Sequence, residues 1–143
     1  MTTTDLIATT ETTIDAPLAK VWNALVDPAI IKHYMFGADV VSDWGKGSPI
    51  TWKGEYQGKR YEDKGKILEM QRGRRLRYSH FSPMAGLPDS PENYHTVTID
   101  LDGSGEETRV SLTQDNNADE KAREHSEKNW ATMLEGLKKY VED

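Results

Sequence analysis

Two histidines are the residues of this sequence best suited to acid-base chemistry. His80 alternates with Leu76 and Tyr78 as on one face of a β-strand, and His95 alternates in the same way with Val97. Both imidazoles are therefore expected to point inward. An imidazole titrates near neutrality, which makes His80 the candidate for a general base or hydrogen-bond donor, although no complete catalytic set accompanies it. A catalytic zinc ion takes three protein ligands, and neither imidazole is expected to have a carboxylate or thiolate beside it, so we predict no metal site and no cofactor.

Large aromatic side chains form a second group of candidates, and their chemistry is binding. Four of them fall on faces expected to look inward: Trp52, Tyr56, Tyr78 and Trp130. Inward rings give an apolar wall with a few polar tips, the usual composition of a small-molecule pocket. The same rings are equally suited to filling a core, and both readings stay open. The residues predicted to line a pocket are Trp52, Tyr56, Tyr78, His80, Met84, Leu87, Val97, Trp130, Met133, Leu134 and Leu137.

The segment Ser82 to Asn93, SPMAGLPDSPEN, is predicted to be an ordered loop. Its prolines and glycine are incompatible with the interior of a strand or helix. It exposes Met84 and Leu87 between prolines. Such a loop suits a lid over a cavity, a contact between two copies of the chain, or simple surface decoration.

Composition and missing motifs exclude several functional classes. The net charge of -6 argues against nucleic acid or an anionic membrane as the partner. No nucleophile elbow, phosphate loop or dinucleotide fingerprint occurs. The sequence has no cysteine, and its first residues form neither a basic nor an apolar targeting segment, so we expect a soluble cytoplasmic protein. Most strand carboxylates are expected to face water, among them Glu55, Glu62, Asp63 and Glu69.

The elements that must position these residues begin with a long C-terminal helix. Residues 119–141 place one apolar stripe on one side of a helix and charged residues on the other. Asn116, Asn117 and Asp119 are candidates to cap its N-terminus. The stripe consists of Ala122, Ser126, Trp130, Met133, Leu134, Leu137, Tyr140 and Val141.

The rest of the chain predicts a strand, two short helices and a meander of strands. Residues 6–14 are β-biased, and Asp15-Ala16-Pro17 and Asp27-Pro28 each pair a capping carboxylate with a proline suited to a first helical turn. From Val40 to Leu112 the pattern alternates with turn glycines, including one strand from Lys59 to Gln71. We predict one α+β domain spanning residues 1–143, in which a curved antiparallel sheet of about six or seven strands wraps around the C-terminal helix. A cavity is expected between sheet and helix.

Several of these segments resemble the helix-grip superfamily of START-like, pollen-allergen-like and polyketide-cyclase-like proteins. Within it, the sequence is most similar to the branch named after the C-terminal domain of the activator of heat shock protein 90 ATPase. The similarity spans nearly the whole chain and rests on packing and turn residues, so it implies the fold much more than the function. At residues 32–36 the family often has a pair of tryptophans, where this chain has KHYMF, so ligand identity cannot be carried over. The matching segments are Asp15-Ala16-Pro17, Val21-Trp22, Ala24-Leu25, Asp27-Pro28, Gly65-Lys66-Ile67-Leu68-Glu69, Arg74-Arg75-Leu76, Tyr78, His125, Asn129-Trp130 and Leu134.

Three functions remain open from the sequence. We expect a module that binds a small apolar or aromatic molecule between sheet and helix, with Tyr56, Tyr78 and His80 orienting it. The first alternative is a polyketide-cyclase-like enzyme in which His80 or Tyr78 moves a proton. The second is a protein-interaction role, through a homodimer at the Met84 loop or through a chaperone. The eukaryotic activator has a separate N-terminal chaperone-binding domain for which this sequence has no room, which argues against chaperone stimulation.

Overall fold

A computed structural model describes residues 6–35, 37–56, 58–83 and 86–142, apart from the side chains of Tyr56 and Ser104. In chain order the elements are β1 (Ala8–Ile14), α1 (Leu18–Val26), α2 (Pro28–Tyr34), β2 (Asp39–Ser42), β3 (Pro49–Tyr56), β4 (Lys59–Gln71), β5 (Arg75–His80), a 3-10 turn (Pro91–Asn93), β6 (His95–Ser104), β7 (Glu107–Gln114) and α3 (Glu120–Glu142).

The strands form one antiparallel sheet in the order β1-β7-β6-β5-β4-β3-β2. The sheet curves around α3, and α1 and α2 follow the first strand, so the predicted helix-grip architecture is confirmed. Alternation sets the two faces of each strand. In β7, for example, Val110 and Leu112 are buried on the concave face while Arg109 is exposed on the other.

Helix α3 lies against the concave face and along the edge strand β1. Its buried residues are Met133, Leu134, Leu137 and Val141, in agreement with the predicted stripe. Its polar side chains also bond the free backbone of β1. Glu127 Oε2 accepts the Thr9 N–H at 3.1 Å, and Lys138 Nζ donates to the Thr13 carbonyl at 2.7 Å. The helix therefore closes this edge of the sheet as well as its face.

Helix capping agrees with the sequence at two sites and differs at three. The Asp27 carboxylate accepts the Ala29 N–H at 3.0 Å, and the Asp119 carboxylate accepts the Ala122 N–H at 2.8 Å, as predicted. The prediction for Asp15 is wrong, because α1 begins after Pro17 and has no side-chain cap. Instead, the Asp15 N–H donates to Glu142 Oε2 at 2.8 Å, which joins the start of α1 to the end of α3.

Asn116 and Asn117 do not cap α3 either. The Asn116 amide donates to the Glu92 carbonyl at 2.8 Å and to the Tyr94 carbonyl at 3.0 Å. The second residue, Asn117, ties two other parts of the chain together. It is buried, and its amide donates to the Leu6 carbonyl at 2.9 Å and to the Gln114 carbonyl at 3.2 Å. It therefore ties the chain before β1 to the end of β7.

Candidate functional site

A cavity of about 270 Å³ lies between strands β3, β4 and β5 and the middle of α3, and it is partly open to solvent. A groove of about 580 Å³ elsewhere, beside α1, is larger. The smaller cavity is the candidate site because it alone of the two contains a carboxylate and an imidazole in contact. It is lined by Met35, Ala38, Trp52, Tyr61, Asp63, Tyr78, His80, Gln114, Ser126, Asn129, Trp130 and Met133.

The register of β3 on β4 brings two polar side chains onto the concave face. Asp63 pairs with Trp52, and Tyr61 pairs with Gly54. A Cβ atom on Gly54 would lie 2.5 Å from the Tyr61 hydroxyl oxygen and 2.7 Å from the ring carbon that carries it. The missing side chain at Gly54 thus lets the Tyr61 ring lie across the neighbouring strand and reach the cavity.

A second glycine sets the position of His80. Lys64 bridges to Phe81, and a Cβ atom on Gly65 would lie only 1.7 Å from the Ser79 carbonyl oxygen. Only glycine permits this close approach of the β4 and β5 backbones. It brings the end of β5, with His80, next to Asp63 on β4.

Asp63 and His80 form a hydrogen-bonded pair in the cavity wall. Their Oδ2 and Nε2 atoms are 2.9 Å apart, and the two side chains are 16% and 25% exposed. An ionised carboxylate can only accept, so Nε2 carries the hydrogen and, in a neutral imidazole, Nδ1 is left as an acceptor. The expectation that His80 lacks a carboxylate beside it is therefore wrong, and Asp63 is not one of the carboxylates that face water.

The other carboxylate oxygen of Asp63 lacks a hydrogen-bond partner among the described residues. Oδ1 is buried and accepts no hydrogen bond from any of the residues that the structure describes. Buried acceptors are nearly always bonded in native proteins, and an unpaired one destabilises the fold. Asp63 therefore borders the cavity through the exposed part of its side chain, and Oδ1 lies behind that surface.

Aromatic rings form the adjoining wall. The Trp52 ring centroid lies 5.2 Å from that of Tyr78 and 5.0 Å from that of His80, in tilted and edge-on arrangements respectively. Burial raises the pKa of Tyr78 well above the ordinary value for a phenol. Tyr78 therefore presents a neutral hydroxyl and an apolar ring.

On the opposite side, a polar network holds Trp130 in place. The Trp130 indole N–H donates to Gln114 Oε1, and Gln114 is buried at the end of β7. The Ser126 hydroxyl donates to Asn117 Oδ1 at 2.9 Å. The network fixes the tryptophan without filling the cavity.

The predicted site residues divide into three groups. Trp52, Tyr78, His80, Trp130 and Met133 line the cavity. Three more are fully buried in the core beside it and are not among its described lining residues: Val97, Leu134 and Leu137. Leu87 lies away from it and is 53% exposed, while Met84 and the side chain of Tyr56 lie outside the described residues.

Sequence reasoning missed seven lining residues, of which Tyr61, Asp63 and Gln114 matter most. For the first two, a signal was present. Counting back by two from the buried Ile67 gives Gly65, then Asp63, then Tyr61, all on the inward face. The others are Met35, Ala38, Ser126 and Asn129.

His95 sits beside the cavity without lining it among the described residues. Its ring centroid is 6.3 Å from that of His80, and its Nδ1–H donates to the Asp115 carbonyl at 3.0 Å. Within the described ranges, no group of three or more histidines or carboxylates is arranged to hold a metal ion. No described helix is both long and apolar enough to cross a membrane.

A curved antiparallel sheet that grips a C-terminal helix over a cavity defines a helix-grip protein. The family profile of activator of Hsp90 ATPase homolog 1-like proteins matches residues 15–142, and the chain belongs to this family. No curated protein matches the sequence.

Solved structures agree with this assignment. A Cytophaga hutchinsonii protein solved in solution, ChR145, is 61% identical over 95% of this chain and 93% of its own, with a TM-score of 0.84. The Aha1 dimer from Colwellia psychrerythraea is 20% identical over 95% of this chain and 96% of its own, with a TM-score of 0.74. CalU16 from Micromonospora echinospora is 23% identical over 93% of this chain and 74% of its own, with a TM-score of 0.71. At the last two identities the likeness concerns the fold alone.

Proposed function

We propose that this protein binds a small, largely aromatic molecule in the cavity between β3–β5 and α3. The observation that carries the proposal is the combination of an aromatic wall, Trp52, Tyr78 and Trp130, with one polar corner, Asp63 and His80. Pockets for small molecules have this composition: apolar surface supplies affinity, and a few polar groups fix the orientation.

The cavity volume limits the size of the ligand. An apolar cavity of about 150 Å³ holds benzene, so the volume of about 270 Å³ suits a molecule of roughly ten non-hydrogen atoms. That is a single ring with a short substituent, or a small bicyclic system. Larger ligands such as sterols need the mouth of the cavity to widen.

The test is an amide-NMR titration of the whole chain with single-ring and bicyclic aromatic compounds. We expect shifts at the cavity residues, and Trp130→Ala should weaken binding at least about tenfold because it removes most of one wall. The matched control is Tyr140→Ala, an exposed aromatic residue on the same helix. Unchanged affinity in a folded Trp130→Ala variant, or an equal loss in both variants, contradicts the proposal.

A second candidate function is proton transfer by the same site. The Asp63–His80 hydrogen bond favours it, because the carboxylate orients the imidazole and leaves Nδ1 as a base. A bound substrate with an acidic C–H would lose its proton to Nδ1 and regain one at another atom, giving an isomer. His80→Gln should abolish such exchange, followed by deuterium incorporation from heavy water, while binding survives. Exchange that persists in the variant would refute this role.

Self-association is a further proposal about partners. The Colwellia psychrerythraea relative was solved as a dimer. The described part of the 82–93 loop exposes Leu87, an apolar residue suited to a contact between copies. Sedimentation equilibrium of the wild type and of Leu87→Asp is the test. A dimer lost in the variant supports the proposal, whereas a monomer at all concentrations, or a dimer unaffected by the variant, contradicts it.

A further inference from the structure

The described lining of the cavity is unusual in its charge. It contains one carboxylate, Asp63, and no lysine or arginine. Among these described lining residues, the only other side chain that can carry a charge near neutrality is His80. Its Nε2–H already donates a hydrogen bond to Asp63 Oδ2. With a neutral imidazole, the site has a net negative charge in a partly buried position.

Among the described residues, the Asp63 carboxylate has one hydrogen-bond partner, the His80 N–H on Oδ2, and its side chain borders the cavity although Oδ1 itself is shielded from solvent. A donor from the ligand that reaches this carboxylate would add a second hydrogen bond. A donor with a positive charge would also compensate the carboxylate, and charge-assisted hydrogen bonds are about twice as strong as neutral ones. A ligand carboxylate or phosphate at this position would instead face the like charge of Asp63.

The rings around the carboxylate are suited to the same charge. Trp52 pairs with Asp63 across β3 and β4, Tyr61 lies two residues before Asp63 on the same face, and Tyr78 contacts Trp52. Aromatic faces attract a cation within about 6 Å of the ring centroid, and tryptophan does so most strongly. Aromatic rings and one carboxylate together form the usual surroundings of a bound organic ammonium group.

Electrostatics near the cavity mouth point the same way. The pKa of Tyr61 is raised by burial first, and then by the negative charges of Asp63 and Asp39. Asp39 is exposed and pairs with Lys32 at 3.0 Å, so its contribution is partly compensated. The negative charges of Asp63 and Asp39 thus act on the Tyr61 hydroxyl, and the same charges favour an approaching cation.

We propose that the ligand of this cavity is a small aromatic amine, whose protonated nitrogen donates to the Asp63 carboxylate while its ring packs against Trp52, Tyr78 and Trp130. The inference rests on the proposed function, because it names the class of molecule that the same cavity takes. The nitrogen must carry at least one hydrogen, since a quaternary ammonium has none to donate. A single ring with a two-carbon spacer and an amine agrees with the size of ligand that the cavity volume allows.

The experiment compares three ligands that share a phenyl ring and a two-carbon spacer and differ in charge. They are 2-phenylethylamine, 2-phenylethanol and 3-phenylpropionate, each titrated into the full chain at pH 7.5 by isothermal calorimetry. We expect the amine to bind at least about tenfold more tightly than the alcohol, and the carboxylate to bind most weakly. Asp63→Asn, which keeps the size of the side chain, should remove the preference for the amine and leave the affinity for the alcohol nearly unchanged. The matched control Asp39→Asn should keep the preference.

The outcomes separate this inference from the proposed function. Equal affinities for all three ligands would leave aromatic binding intact and overturn the amine. A carboxylate that binds best would overturn it as well. Absence of binding by all three would count against both. Because the comparison of the three ligands uses the wild-type chain, the inference remains falsifiable even if Asp63→Asn does not fold.

Discussion

The Asp63–His80 pair is predicted to lower the stability of the fold, so that replacing both members with apolar residues should leave stability unchanged or raise it. Leaving Asp63 Oδ1 without a donor costs about 1–3 kcal/mol. Replacing both partners of a buried hydrogen bond with apolar side chains of similar shape is nearly neutral or stabilising, and the same holds where a buried charge is removed with its partner. Both side chains retain some exposure, 16% and 25%. We therefore expect a small gain of about 0–1 kcal/mol for Asp63→Leu/His80→Phe.

Each single substitution should behave in the opposite way. His80→Phe leaves a carboxylate with neither oxygen bonded and should cost about 2 kcal/mol. Asp63→Leu leaves the imidazole N–H unpaired and should cost about 1 kcal/mol, because the ring keeps some contact with water. The free energies of unfolding of the four proteins then define a coupling of about 3 kcal/mol between the two side chains.

The assay is urea denaturation at pH 7 followed by circular dichroism, with the slopes compared to verify that the unfolded states are alike. Additive single effects, with the double variant less stable than the wild type by the sum of both, would refute the reasoning and make the pair a structural brace. Ligand binding gives the complementary readout. It should be lost in the double variant although the fold is intact, as expected for a site that reduces stability in exchange for function.

Three further predictions concern Gly65, the buried hydroxyl of Tyr34 and the hydrogen bond between Gln114 and Trp130. Gly65→Ala should lose at least about 3 kcal/mol of stability or fail to fold, because the new Cβ meets a backbone carbonyl of β5. The control is Gly45→Ala, where the nearest atom to the new Cβ is a side-chain oxygen 3.5 Å away. This control should change the thermal midpoint little. Burial raises the pKa of Tyr34, so the folded state keeps the phenolic proton at alkaline pH values where the unfolded state has lost it. The free energy of unfolding should therefore fall by about 1.4 kcal/mol per pH unit above about pH 10 from this residue alone. Urea titrations at several alkaline pH values should show a shallower loss for Tyr34→Phe, and equal slopes would contradict the assignment. Gln114→Leu removes the acceptor of the Trp130 indole N–H. The substitution should lower the free energy of unfolding by about 1–3 kcal/mol and shift the tryptophan fluorescence emission. An unchanged spectrum and stability would show that the bond is dispensable.

The fold was predictable because its signals are local. The strand Lys59–Gln71 has the bounds given by its alternation and flanking glycines, and α3 differs from its predicted range by one residue at each end. The order from β2 to β7 then follows from successive antiparallel connections, whereas the pairing of β1 with β7 joins strands far apart in the chain. Asp15 shows the limit of such reasoning, since a carboxylate shortly before a proline satisfies the capping pattern, yet this helix starts two residues too late for it to cap.

The site was predictable only in part, for two physical reasons. Charged residues in strands usually face water, and this expectation led to the wrong placement of Asp63. The alternation of side chains along β4 places Asp63 on the same face as Ile67. The second reason is that curvature is a property of the whole sheet. Trp130, Leu134 and Leu137 share one helical stripe, but only the first borders the cavity, because the sheet closes on the helix further along. No local pattern separates a cavity wall from a filled core.

The hydrogen bonds from α3 to β1 bear on how these molecules behave when they are crowded. Glu127 and Lys138 occupy backbone groups that a strand from another molecule would need, so β1 cannot act as a template for intermolecular pairing. The opposite edge, β2, spans only four residues, yet it carries Val41 with 62% of its surface exposed. Misassembly into extended sheets should therefore begin at β2. A charged residue in place of Val41 should reduce it, because a charge on an exposed edge strand disfavours pairing with another molecule.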